Sequence, residues 1–221
     1  MLFGKVVSRF SAVALVFSAA GITQAQQPPA GAPNAGPKST IMVVTENPGL
    51  RLLDKKDGTA LTDVNFWRVT WSPVGVGTVC FITVRGEGDM NFRVAITDNE
   101  RLANHIMKDL MGGLSDRFKN PYAIEKGTVV QTNTATDRTE TCKSDQRTVA
   151  ITWKDLGTPN WVPVFRPPGN QKIVQTFVMV IASGAAVTVN GKQAPGTYFP
   201  TGGGFGPGAY LALNETWRLE E

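Results

Sequence analysis

The sequence predicts a mainly β protein, an antiparallel β-sandwich or barrel of about ten strands with one covering α-helix at about 98–111. Three observations predict it. From residue 40 onward, short runs rich in Val, Ile, Thr, Phe and Trp alternate with polar residues, and this period of two is typical of strands. Asp-Gly and Asn-Gly pairs, which favour tight hairpin turns, lie between such runs. A helical period occurs in one segment.

The first 39 residues are predicted to lie outside the folded domain. Residues 1–25 begin with Lys5 and Arg9, continue with an apolar run and end in the small-x-small triplet Thr23-Gln24-Ala25, as a cleaved signal peptide does. The apolar run is well short of the roughly 20 residues that span a bilayer. Residues 26–39 form a Pro/Ala/Gly-rich flexible linker. We therefore expect export to the periplasm or the extracellular space, with no membrane span after cleavage.

The remaining residues, 40–221, are predicted to form a single β-rich domain. The full chain has 22 basic and 18 acidic residues, a net charge of +4. Removing Lys5 and Arg9 with the signal peptide leaves 20 basic and 18 acidic residues, a net charge of +2. The basic residues are scattered, whereas nucleic-acid-binding domains concentrate them on one face. No nucleic-acid partner is expected.

Ten strands account for the period-two segments of this domain. They are predicted at 41–45, 64–71, 77–85, 91–97, 128–136, 147–154, 161–166, 172–182, 185–190 and 209–219. Most connections are too short for the crossover that parallel pairs need, so antiparallel pairing is expected. Asp57-Gly58 and Asn190-Gly191 predict two-residue turns. Strand 172–182 is apolar on both faces, which indicates that both are covered.

One amphipathic helix interrupts the strands. Thr97 and Glu100 have the spacing of an N-terminal capping box, and Gly112-Gly113 provides a stop. Leu102, Ile106 and Leu110 recur with a helical period and form an apolar row. A single helix of this kind among strands is expected to cover an open face or end of a sheet.

The chemistry-bearing residues of the chain do not suggest an active centre. His105 is the only histidine, and Asp109 follows four residues later, so we expect an ordinary ion pair on the helix surface. The sequence lacks a Gly-x-Ser-x-Gly nucleophile motif. One histidine and two distant cysteines do not suffice for a tetrahedral zinc site. The sequence therefore predicts no catalytic residue, no metal site and no cofactor.

The two cysteines, Cys80 and Cys142, are expected to form a disulfide. An exported chain enters an oxidising compartment, where paired cysteines usually oxidise. The alternative is a pair of buried free thiols, since Cys80 lies within an apolar strand.

A small-ligand site is predicted around Trp67, Arg68, Trp71 and Glu215. Alternation in strand 209–219 places Glu215 on the same face as apolar residues such as Leu211 and Leu213. A buried carboxylate is costly unless it is paired. Convergent polar groups beside aromatic rings are typical of small-ligand cavities.

Two basic residues, Arg68 and Arg93, could supply the charge opposite Glu215. The alternative interpretation is a β-bulge near Asn214. A bulge would shift the register and turn Glu215 to solvent, and Trp67 and Trp71 would then be ordinary core residues.

These observations lead to one functional hypothesis and two alternatives. The leading hypothesis is an exported, non-catalytic domain that binds a small apolar or sugar-like ligand, between its sheets or near 201–208, or an envelope partner. One alternative is a carboxylate-dependent hydrolase such as a glycosidase, with Glu215 and either Asp63 or Asp98 as its acids. The other is a structural or interaction module that pairs through a sheet edge.

Overall fold

The computed structural model describes residues 39–167, 170–200 and 208–221, which form twelve strands. The predicted signal peptide, nearly all of the linker and positions 201–207 lie outside the described residues. The strands are β1 (Ser39–Glu46), β2 (Gly49–Leu53), β3 (Ala60–Trp71), β4 (Gly77–Arg85), β5 (Asn91–Thr97), β6 (Ala123–Asn133), β7 (Arg138–Ser144), β8 (Thr148–Leu156), β9 (Asn160–Phe165), β10 (Ile173–Val189), β11 (Lys192–Gln193) and β12 (Ala209–Glu220).

The strands form one large mixed sheet in the order β1-β12-β2-β3-β4-β5-β6-β7-β8-β10-β11. β9 pairs with β10, and β10 also pairs with β12, so the pairings return to β12. The β5–β6 pair is parallel. Its crossover contains α1 (Glu100–His105), a π-helical turn (Ile106–Leu110) and a 3-10 helix (Asp116–Phe118). The predicted mainly β class is confirmed, but the helical segment makes one pair parallel.

Several segments differ from the prediction. β2, β7 and β11 were not expected as strands, β3 and β6 begin at Ala60 and Ala123 instead of 64 and 128, and segments 172–182 and 185–190 form the single strand β10. The small residues Ala182 to Ala186 carry β10 from its pairing with β12 to its pairing with β8. A long strand that changes partners along its length explains why both of its faces need apolar residues.

The two predicted turns have different outcomes. Asn190 and Gly191 have φ values of 50° and 80° and connect β10 to β11, as a two-residue turn requires. Asp57, with φ of 58°, instead lies in a longer connection between β2 and β3. There Asp54 Oδ1 accepts the backbone N–H groups of Lys55 and Thr59, both at 2.8 Å. The predicted two-residue turn at Asp57-Gly58 is therefore wrong.

The N-cap of the helix lies two residues after the predicted cap, Thr97. Asn99 is the N-cap residue, and its side chain accepts the Leu102 N–H at 3.1 Å. The Thr97 hydroxyl instead donates to the carbonyl of Thr78 on β4. His105 Nδ1 lies 2.7 Å from Asp109 Oδ2, which confirms the predicted surface pair. Within the described ranges, no helix is long and apolar enough to cross a membrane.

Buried apolar residues form two clusters on opposite faces of β3 and β4. Val64, Phe66 and Ile82 belong to the first cluster, which contains residues of β2, β5, β7, β8, β10 and β12. Trp67 and Phe81 belong to the second cluster. The second cluster also contains the helical residues Leu102, Ala103, Ile106, Met107 and Leu110. Strands β3 and β4 are thus buried on both faces.

Cys80 and Cys142 are both free in the structure, with no disulfide between them, and both are buried in the first cluster. Burial and the neighbouring Cys142 thiol raise the pKa of Cys80 well above its usual range. β4 and β7 are separated in the sheet by β5 and β6, so the two side chains meet across the core. The structure thus has the alternative arrangement, two buried free thiols.

Candidate functional site

A β-bulge in β12 determines where Glu215 lies. Thr216 pairs with Thr176 of β10, whereas Leu213 pairs with Val178, so the register shifts between them. Asn214 has a φ of 51°, a conformation that asparagine adopts more readily than most residues. The bulge removes Glu215 from the face of Leu213, as the alternative interpretation expected.

The bulge does not expose Glu215, however. The side of β12 that it enters is covered as well, and Glu215 is only 3% exposed. Trp217, two residues further on, belongs to the second cluster. The prediction that Glu215 points inward is correct, but the face and the neighbouring residues differ from those expected.

Glu215 lines a cavity of about 230 Å³ on the helix side of the sheet. Its main polar walls are Asn47, Arg51, Asn65, Arg117, Gln175 and Tyr210. Its main apolar walls are Leu50, Met111, Leu114, Phe165, Ala212 and Trp217. The cavity thus combines convergent polar groups with an apolar wall, which is the usual composition of a small-ligand site.

The carboxyl of Glu215 is held out of water without a full set of partners. Burial raises its pKa from 4.5 to about 7, and the nearby Trp217 and Asn47 side chains oppose this rise. Glu215 Oε2 and Trp217 Nε1 have no hydrogen-bond partner of good geometry among the described residues. A carboxyl with a pKa near 7 can hold or release a proton at neutral pH.

A relay of side-chain hydrogen bonds fixes the amides beside Glu215. Trp67 Nε1 can only donate, and it lies 2.5 Å from Asn65 Oδ1. Asn65 Nδ2 donates in turn to Asn47 Oδ1 at 2.8 Å. The amide NH₂ of Asn47 therefore remains to donate toward Glu215, in agreement with its effect on the Glu215 pKa.

Two arginines on the cavity wall share one carboxylate. Arg117 Nη2 lies 2.7 Å from Asp63 Oδ1, and Arg51 Nε lies 3.6 Å from the same oxygen. The Nε atoms of Arg51 and Arg117 are buried and have no hydrogen-bond partner in the described part of the chain. The wall thus has two positive charges against the one negative charge of Asp63.

Tyr210 lies against both the arginine pair and Glu215. Burial raises its pKa; Arg117 and Arg51 oppose the rise, and Glu215 and Asp63 reinforce it. A Cβ atom at Gly49 would meet the Tyr210 ring at 2.6 Å. Glycine at position 49 therefore allows this ring to pack directly on the backbone of β2.

The other predicted ligand residues do not line this cavity. Trp67 is buried behind the wall, with its ring centroid 5.5 Å from that of Trp217. Arg68 Nη2 pairs with Glu140 Oε2 at 2.8 Å, away from Glu215. Trp71 is 45% exposed. Of the four predicted ligand residues, Glu215 is the one that lines this cavity.

Of the other predicted partners of Glu215, Arg93 and Asp98 have contacts elsewhere, and Asp63 is connected to the site. Arg93 stacks on the Tyr122 ring at 3.6 Å and donates to Thr83 Oγ1, so it does not pair with Glu215. Asp98 accepts the Thr78 N–H at 2.7 Å, near the start of the helix. Asp63 reaches the site indirectly, through Arg51 and Arg117.

Sequence reasoning missed the arginines and the amides of this site. β2 carries Arg51 but was not predicted as a strand, and Arg117 lies on a short 3-10 helix. The sequence did offer one signal for the amides: strand alternation places the polar residue Asn65 on the same face as Trp67. Within the described ranges, no group of three or more His, Cys, Asp or Glu side chains could hold a metal ion.

Comparisons with known proteins assign no family. The chain matches no protein-family model and no curated protein. Among solved structures it is similar to the acetoacetate decarboxylase of Legionella pneumophila subsp. pneumophila str. Philadelphia 1. The identity is 10%, the TM-score is 0.31, and the match covers 87% of this chain and 90% of that chain. A likeness at this level bears on neither the activity nor the site of this protein.

Proposed function

We propose that this protein is an exported, non-catalytic domain that binds a small, hydrogen-bonding ligand in the cavity around Glu215. The observation that carries the proposal is the buried Glu215 carboxyl in the cavity wall, whose Oε2 has no hydrogen-bond partner of good geometry among the described residues. Leaving a buried polar atom unpaired costs about 1–3 kcal/mol. A ligand that completes its hydrogen bonds recovers part of that cost.

The composition of the cavity narrows the earlier hypothesis of an apolar or sugar-like ligand. A purely apolar ligand would leave Glu215 Oε2 and the Nε atoms of Arg51 and Arg117 as they are, without hydrogen-bond partners. Amide side chains such as Asn47 and an aromatic wall such as Trp217 favour a compact polar molecule instead. The cavity volume of about 230 Å³ also favours a small molecule over a long-chain ligand.

We infer the architecture that presents this cavity from the returning strand pairings. β12 pairs with β2 and also with β10, which supports a closed barrel over a sandwich. The helical residues packed in the second cluster support a helix that covers one side of it. The cavity then lies between that helical segment and the outside of the barrel wall.

Blocking the cavity is expected to abolish ligand-induced stabilisation. We choose Leu114→Trp, because Leu114 is a partly buried wall residue and can accept added bulk with little effect on the core. A ligand at 100 times its Kd stabilises the folded state by about 2.7 kcal/mol. For a domain of this size that raises Tm by about 5–10 °C, measured by differential scanning fluorimetry against small acids, sugars and amines.

Val130→Trp is the matched control for this experiment. Val130 is an exposed residue of β6 and does not line the cavity. We expect its Tm shift to equal that of the wild type. Equal shifts in Leu114→Trp and the wild type would place the ligand elsewhere and contradict the proposal.

Export predicts a defined start for the mature protein. Cleavage after Ala25 would leave Gln26 as the first residue. Expression of the full chain in a secreting host, followed by intact-mass measurement of the exported fraction, is expected to show this end. A retained Met1 in all of the protein would contradict export by cleavage.

Hydrolysis by carboxylates is the second candidate function, and one observation favours it. The Glu215 pKa of about 7 would allow this carboxyl to act as a general acid or base near neutral pH. A glycosidase needs a second acid, and Asp63 is held by Arg51 and Arg117 at the cavity wall. Turnover of aryl glycosides that disappears in Glu215→Gln would establish this function.

Edge pairing, the third hypothesis, receives weaker support. β9 pairs with β10, and its Trp161 and Val164 side chains are exposed. Pro163 lies in the middle of this strand and has no backbone N–H to donate. A proline in an edge strand is a common device against pairing with other chains.

A further inference from the structure

The charges that face the cavity do not cancel when Glu215 is protonated. Arg51 on β2 and Arg117 on the 3-10 helix line the cavity and are positive, and Asp63 on β3, which pairs with both without lining the cavity, is negative. Tyr210 of β12 is a neutral phenol near pH 7, since its pKa is raised. The other elements at the cavity supply uncharged residues: Asn47, Met111, Leu114, Ser115, Phe165 and Gln175. The protonated site therefore has a net charge of +1.

The arginines also have unused donors. Arg117 places Nη2 on Asp63, but its Nε has no partner in the described part of the chain. Arg51 Nε lies 3.6 Å from Asp63 Oδ1, which is too long for a hydrogen bond. Guanidinium donors are well matched to carboxylates in geometry and charge. The guanidinium groups in the cavity wall and the excess positive charge both favour an anionic ligand.

Building on the proposed ligand-binding function, we propose that the ligand is a small monocarboxylic acid whose carboxylate pairs with Arg51 and Arg117. Glu215 is protonated in the complex and its carboxyl donates to a second polar atom of the ligand. Trp217 and Leu114 contact the short hydrocarbon part. The bound ligand then neutralises the site.

This arrangement couples ligand binding to a proton. Above pH 7 the free site has lost the Glu215 proton, and its charges sum to zero. A bound anion raises the pKa of Glu215 further, so binding takes up a proton. Simple carboxylic acids ionise well below pH 6, so their own ionisation does not contribute to the pH dependence of the affinity above that pH. The affinity is therefore expected to fall as the pH rises above 7, by at most about tenfold for each pH unit.

Isothermal titration calorimetry of the purified chain from pH 6 to 9 tests the proposal with lactate and propionate. Lactamide and propionamide are the matched neutral probes, and glucose represents a neutral sugar. We expect the acids to bind at least tenfold more tightly than their amides at pH 6, and the amides to show no pH dependence. In Glu215→Gln the affinity for lactate should no longer change with pH.

Two variants that each remove one positive charge test where the carboxylate of the ligand binds. Arg117→Gln is expected to weaken lactate binding at least tenfold. Lys119→Gln, an exposed residue at the end of the same 3-10 helix, should bind as the wild type does. If Arg117→Gln does not fold, the comparison of lactate with lactamide on the wild type still decides the question.

The outcomes separate this inference from the proposed function. Binding of glucose or the amides, blocked by Leu114→Trp and without preference for the acids, would overturn the inference and leave the ligand-binding function intact. If the acids bound with the same affinity at pH 6 and pH 9, the inference that Glu215 is protonated in the complex would be wrong. A cavity that binds none of these probes, nor any other small acid, sugar or amine, would overturn both.

Discussion

Replacement of Glu140 by alanine is expected to destabilise the protein by about 3–5 kcal/mol, because it leaves buried charges without their partner. The Glu140 side chain is 0% exposed. Its Oε1 accepts from Arg138 Nε at 2.9 Å and Nη2 at 2.7 Å, and its Oε2 accepts from Arg68 Nη2 at 2.8 Å. Without Glu140, the Arg138 guanidinium is left with the partly exposed Glu46, 2.6 Å from Nη2.

Urea denaturation at pH 7 measures this effect, with Glu46→Ala as the matched control. Glu46 contacts the same two arginines, but its side chain is 29% exposed, so water can replace it. We expect Glu46→Ala to cost about 1 kcal/mol, in the range of partly exposed ion pairs. A loss below 1 kcal/mol in Glu140→Ala would mean that water reaches Arg138 and that the charges are not buried in solution.

This network also explains why β7 could not be found by apolar alternation. Its buried positions are Arg138, Glu140, Cys142 and Ser144, while the intervening residues are partly exposed. The period of two is present, but three of the four buried residues are polar or charged. Their partners come from distant strands, as Arg68 on β3 shows. By contrast, β4, whose buried residues are mostly apolar, was predicted with the bounds that the structure shows.

The candidate site also has features that the sequence predicted and features that it did not. The alternation in β12 predicted a buried Glu215, and the structure confirms its burial. The shift to the other face depends on one backbone angle at Asn214, a positive φ that is uncommon for residues other than glycine, although asparagine adopts it more often than most. The pairing of Arg51 and Arg117 with Asp63 joins three separate elements. Such contacts arise from tertiary packing, and no local sequence pattern encodes them.

The stability of the wild type relative to Glu215→Gln is expected to fall by about 3 kcal/mol between pH 4.5 and pH 7. The folded pKa of Glu215 is about 7, against an ordinary value of 4.5. Below pH 4.5 the carboxyl is protonated in both the folded and the unfolded states, so its titration has no effect on stability. Between these values the unfolded state releases the proton and the folded state retains it, which favours unfolding.

The size of the effect follows from the difference in pKa. Each pKa unit corresponds to about 1.4 kcal/mol, so the total is about 3 kcal/mol, and it is complete above pH 7. Glutamine at position 215 has no proton to lose. Its own packing and hydrogen bonds shift the unfolding free energy by an amount that does not change with pH. The pH-dependent difference between the two proteins therefore isolates the carboxyl.

Urea denaturation of both proteins at half-unit steps from pH 4 to pH 8.5 measures this difference, with Glu87→Gln as the control. Glu87 is an exposed loop residue, and its variant is expected to remain parallel to the wild type throughout. Parallel curves for Glu215→Gln and the wild type would instead mean that the carboxyl is hydrated in solution. A hydrated carboxyl would remove the desolvation on which both the ligand-binding proposal and its coupling to a proton depend.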